Sequence, residues 1–95
     1  MRNYEVAFIA HPELDEAAFA VLVEKVQGWV AAAGGQVVKT DIWGRRHLAY
    51  PIRKQNEGQY VLLEAQLESQ ATRDIERNLR LTEQVMRFQI IRTDV

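Results

Sequence analysis

Gln55-Asn56-Glu57-Gly58-Gln59-Tyr60-Val61-Leu62-Leu63-Glu64-Ala65-Gln66-Leu67 decides how this chain folds, because it joins two halves built on the same plan. From Tyr60 onward the residues alternate. Val61, Leu63, Ala65 and Leu67 face one way, and Tyr60, Leu62, Glu64 and Gln66 the other, which is the period of a strand. Gln55-Asn56-Glu57-Gly58 reads as a turn. Before it, Gln36 to about Arg53 is rich in β-branched and aromatic residues and reads as a long strand, bent or bulged at Gly44. Turn and strands together predict a hairpin.

Each side of this hairpin carries one helix and one further strand. Asn3 to Ala10 alternates, with Tyr4, Val6 and Phe8 against Asn3, Glu5, Ala7 and Ile9, and His11-Pro12 ends it. Asp15 is the expected N-cap of a helix with Glu16 in its first turn. Its apolar residues, Phe19, Leu22, Val23, Val26, Val30 and Ala33, recur at amphipathic spacing until Gly34-Gly35. After the hairpin, Ser69 is the expected cap of a shorter helix with a buried stripe of Thr72, Ile75 and Leu79. Val85 to Arg92 forms a last strand, with Met86, Phe88 and Ile90 against Arg87, Gln89 and Ile91. The order β-α-β-β-α-β with right-handed crossovers predicts an α+β fold of the ferredoxin-like kind: a four-stranded antiparallel sheet with both helices on one face.

The composition bounds what such a fold does here. Ninety-five residues fit one domain, 1–95, given roughly 100 to 200 residues per domain in general. With 47% hydrophobic and 26% charged residues the chain is of the globular class, and without cysteine it has no disulfide, thiol nucleophile or cysteine-type zinc site. No signal-like amino terminus is seen, and no run approaches the roughly 18 apolar residues of a membrane helix. A cytoplasmic protein with no membrane partner is expected.

Catalysis finds little support in the residues. His11 and His47 lie in different elements, and neither has a nucleophile beside it at a useful spacing. Glu13, Asp15 and Glu16 suit a helix amino terminus better than an acid-base site. Gly34-Gly35 follows a helix, whereas a phosphate loop precedes one. No enzyme activity, cofactor, metal or small-molecule substrate is expected.

Two surfaces carry the functional reading. The first is the uncovered sheet face, to which the alternation assigns Ala7, Ile9, Tyr60, Leu62, Gln89 and Ile91. Ile9, Tyr60, Leu62 and Ile91 form an apolar strip of the kind that receives a protein partner. Base stacking as in RNA-recognition motifs is not expected on it, since Ile9 and Leu62 stand where aromatics are needed. The second surface is Gly44-Arg45-Arg46-His47-Leu48-Ala49-Tyr50-Pro51-Ile52-Arg53-Lys54, which holds four permanent cations and no acid in a chain of net charge −1. Residues 1–44 hold three Lys/Arg against six Asp/Glu, and residues 45–95 nine against seven, so the charge is local. Arg45, Arg46, Arg53 and Lys54 are the leading candidates for phosphate contacts, with Arg2, Arg80, Arg87 and Arg92 behind them. Arg73, Arg77 and Arg80 form a stripe that Asp74 and Glu76 can neutralise.

These residues resemble the bacterial small-subunit ribosomal protein S-six family. The likeness rests on Met1-Arg2-Asn3-Tyr4-Glu5-Val6, on Leu14-Asp15, and above all on Gly44-Arg45-Arg46-His47-Leu48-Ala49-Tyr50-Pro51-Ile52-Arg53-Lys54 followed by Gly58 and Tyr60. Asn78-Leu79-Arg80-Leu81 and Val85-Met86-Arg87-Phe88 extend it over almost the whole chain. The resemblance implies a structural constituent of the 30S subunit that binds the central domain of 16S ribosomal RNA together with ribosomal protein eighteen, as a heterodimer and without enzymatic activity. Many family members carry a carboxyl-terminal extension, often acidic, where this chain ends at Thr93-Asp94-Val95.

The alternative reading is a ferredoxin-like homodimeric module for a small molecule or for regulation, formed through paired sheets. Such a module has no need of an acid-free basic segment. An acylphosphatase-like enzyme would need a phosphate-cradling loop that is not found.

Overall fold

A computed structural model describes residues 1–93; Asp94 and Val95 lie outside the described residues. The elements are β1 (Arg2–Ala10), α1 (Glu16–Ala32), β2 (Gln36–Ile52), β3 (Gln55–Leu67), α2 (Thr72–Leu81) and β4 (Val85–Arg92). The strands form one sheet in the order β2-β3-β1-β4, every neighbouring pair antiparallel. The chain has the ferredoxin-like β-α-β-β-α-β fold, with β1 and β3 central.

The core lies between the sheet and the two helices. Val6, Phe8, Leu63 and Leu67 project from the central strands onto Val26 and Val30 of α1 and Ile75 and Leu79 of α2, all of them almost wholly buried. Their spacing follows the expected periods of two and 3.6. The Asp15 carboxylate accepts from the Ala18 amide at 2.7 Å, a side-chain cap that satisfies one of α1's orphan amides. At the other end Gly34 and Gly35 donate to the carbonyls of Ala31 and Val30, which closes the helix.

Four local expectations need correction. The hairpin turn is Arg53-Lys54, not Gln55 to Gly58: Ile52 pairs with Gln55, and both turn residues are left-handed, with φ of 50° and 65°. Such a two-residue turn matches the twist of its strands, so β3 begins earlier than its Asn-Glu-Gly composition suggests. Gly58 serves close packing instead, since a Cβ there would collide with Cγ2 of Ile9. Ser69 does not cap α2; it opens a single 3-10 turn, Ser69–Ala71, and accepts on its carbonyl from the Thr72 hydroxyl at 2.8 Å. Thr72 itself is half-buried, and Ala71 is the buried residue beside Ile75 and Leu79. Phe88, on the side of β4 that the alternation turns toward the helices, is only half-buried and not a full core residue, because β4 is an edge strand of the sheet. A register shift between Ile9 and Ala10 instead lets Val85 and Met86, consecutive in sequence, both be buried.

Candidate RNA and protein interface

The β2–β3 hairpin outruns the rest of the sheet. The last residue of β1, Ala10, pairs with Gln59, which pairs in turn with Arg45, so residues 46–58 continue as two strands with no third beside them. Charged and polar side chains tie this arm down. The Gln59 amide nitrogen donates to the carbonyls of His11 and Leu14 at 3.1 and 3.2 Å. Arg45 donates to the Pro12 carbonyl at 2.8 Å. At the tip, Arg53 donates to the carbonyls of Glu83 and Val85 at 2.8 and 3.2 Å. Arg87 of β4 donates to the Tyr50 hydroxyl, its guanidinium carbon 5.6 Å from the centre of the Tyr50 ring. The arm therefore curls across the end of β1 and meets β4, although β2 and β4 are opposite edges of the sheet.

This curvature sorts the basic residues. The side chains of Arg46 and Lys54 are exposed and have no hydrogen-bond or ion-pair partner among the described residues, and His47 is exposed beside Arg46. Arg45, Arg53 and Arg87 are engaged within the chain. Arg80, on the last turn of α2, pairs with Glu76 at 2.7 Å, and Arg77 pairs with Asp74 at 3.3 Å, as the helix stripe predicts. Arg80 lies three residues before Glu83, whose carbonyl Arg53 holds, so it is at the end of α2 that leads toward the arm's tip. Arg2 and Arg92 sit at the far end of the sheet, where Tyr4 pairs with Arg92. The eight cations thus divide between two ends of the molecule.

The face away from the helices is concave. Ala7, Ile9, Trp43, Tyr60, Leu62 and Gln89 line a shallow depression of about 360 Å³. Three of the expected apolar residues meet there; Ile91, 42% exposed, stands one row away, opposite Glu5. Trp43 was missing from the sequence reading. It is the extra residue between Ile42, which pairs with Val61, and Gly44, which pairs with Tyr60. Gly44 has a φ of 80°, a conformation that favours glycine, and the bulge turns Trp43 onto the open face. There its ring stacks on Tyr60, planes 3° apart and centroids 6.4 Å apart. The glycine was the one signal that strict alternation fails here.

Among the described residues no three His, Cys, Asp or Glu side chains come together as a metal site would require. His11 accepts on Nδ1 from the Glu13 amide at 3.1 Å, a local turn contact. No helix is long and apolar enough to cross a membrane.

The profile of the family described as ribosomal protein S6 matches residues 3–92, which takes in the arm, the open face and both helices. The chain belongs to the ribosomal protein S6 family. It is 47% identical over 91 residues to small ribosomal subunit protein bS6 of Clostridium novyi, covering 96% of each chain. With the same protein of Caldanaerobacter subterraneus the identity is 40% over 94 residues, covering 99% of each. The crystal structure of 30S ribosomal protein S6 from Thermotoga maritima superposes with a TM-score of 0.93 at 32% identity, over 97% of this chain and 87% of that one. Family membership makes this a protein of the small ribosomal subunit, in the cytoplasmic ribosome.

Proposed function

We propose that residues 1–95 act as one structural, non-catalytic domain that binds the central domain of 16S ribosomal RNA together with ribosomal protein eighteen. The observation that supports this most is the division of labour over the surface. A tied-down arm offers Arg46 and Lys54 to solvent, while a separate concave face offers Ile9, Tyr60 and Leu62. Exposed cations on an ordered scaffold suit phosphate contacts, which position a folded RNA without reading its bases. An apolar depression rimmed by polar residues suits a protein. A small-molecule module has no use for the first of these surfaces.

Filter binding of a central-domain 16S rRNA fragment tests the proposal. The chain alone, with net charge −1 and one attractive region, should bind weakly. Adding ribosomal protein eighteen should bring binding into the measurable range, with affinity falling steeply as salt rises. Equal binding with and without that partner overturns the joint reading.

A further inference from the structure

The arm points its cations in two directions. Arg45 and Arg53 spend side-chain donors on the carbonyls of Pro12, Glu83 and Val85, and Gln59 does the same for His11 and Leu14. These carbonyls belong to the loop after β1 and to the approach to β4, both remote in sequence from the arm. Arg46 and Lys54, next in the chain to the two tied arginines, have exposed side chains with no partner among the described residues. We infer that Arg45 and Arg53 are positioning residues and not phosphate contacts: they hold the arm in its curled shape, and that shape presents Arg46 and Lys54 to the RNA backbone.

The physical need for such ties lies in the arm's construction. A two-stranded ribbon with no third strand is marginal in water and strongly twisted. Left free, it would sample many orientations, and its cations would have to be ordered at the moment of binding, which weakens the association. Arg53 suits the tying role because its planar fork reaches two carbonyls at once, which a lysine ammonium does not reproduce in the same geometry. A phosphate that took over the two N–H groups Arg53 now uses would have to displace both carbonyls, and one that used the remaining N–H groups would have to reach a guanidinium whose orientation those carbonyls already fix.

The inference rests on the reading of the arm as the RNA-facing surface, and counterion release separates the two. Filter binding of the central-domain 16S rRNA fragment by the complex with ribosomal protein eighteen, at several salt concentrations, compares three variants with the parent. Arg46→Ala/Lys54→Ala should lower the logarithmic salt slope by somewhat less than two, at roughly 0.7 to 0.9 per phosphate contact. Arg53→Ala and Arg53→Lys should each weaken binding by roughly tenfold through lost preorganisation, with the slope unchanged. Amide hydrogen exchange over residues 45–58 should accelerate in both Arg53 variants. If Arg53→Ala lowers the slope by a full contact and Arg53→Lys restores slope and affinity, Arg53 is a phosphate contact and the inference falls while the reading of the arm stands. Parent-like affinity, slope and exchange in Arg53→Ala also overturn it. An unchanged slope in Arg46→Ala/Lys54→Ala overturns the reading of the arm and this inference with it.

Discussion

Glu5 and Glu64 stand directly opposite each other on the two central strands, on the open face, and neither carboxylate has an ion-pair partner among the described residues. Lys39, which pairs in register with Glu64, turns its ammonium to Asp41 at 3.6 Å instead. Like charges opposed across a strand pair destabilise a sheet. Glu64→Gln should therefore raise stability by about 0.2–1 kcal/mol. The gain should shrink in high salt, because the repulsion is screened. Thermal melts at low and high ionic strength check both statements, and a less stable variant contradicts them.

Phe8, 1% exposed between the sheet and the helices, is the largest of the fully buried side chains. Phe8→Ala should cost roughly 3 to 5 kcal/mol from lost burial and the cavity left behind. Phe88→Ala should cost visibly less, since its ring is only half-buried on an edge strand. Urea denaturation of the two variants orders them, and equal losses would contradict the edge-strand account.

Leu62 lines the depression on the open face, in register with Asp41 of β2 and two residues before Glu64 on its own strand. Leu62→Lys places an ammonium there with carboxylates in reach of its flexible stem, so the fold should keep its stability within about 1 kcal/mol. Affinity for ribosomal protein eighteen should fall by more than roughly tenfold, because the charge would have to be desolvated under the partner. Isothermal calorimetry with the purified partner reads the affinity directly. Parent-like affinity would remove the open face as the docking site.

Gly58 lies against Ile9, and a Cβ at this position would overlap Cγ2 of that side chain. Isoleucine is branched at Cβ and cannot swing that methyl aside without moving the rest of its side chain. Gly58→Ala should destabilise the chain by about 1–3 kcal/mol, as overpacking does. The displaced Ile9 should also disturb the depression it lines. A variant as stable as the parent, measured by thermal melt, would mean that the strands part at no cost.

Local pattern determined most of the architecture. The alternation in β1 and β3 and the stripe on α1 carry their meaning in neighbouring residues, so the buried set of Val6, Phe8, Val26 and Leu63 and the open face with Ile9, Tyr60 and Leu62 were legible before any coordinates. The basic run was legible as composition, and so was the S6 family resemblance built on it. What only the tertiary structure decided depends on distance in sequence. Arg45 meets Pro12 across 33 positions and Arg53 meets Val85 across 32, so no local pattern separates a tied arginine from a free one beside it. The turn at Arg53-Lys54 is selected by strand pairing and twist, which override the turn-forming composition that follows it. Trp43 reaches the open face because a bulge breaks the two-residue period, and a bulge is set by the partner strand as much as by its own residues.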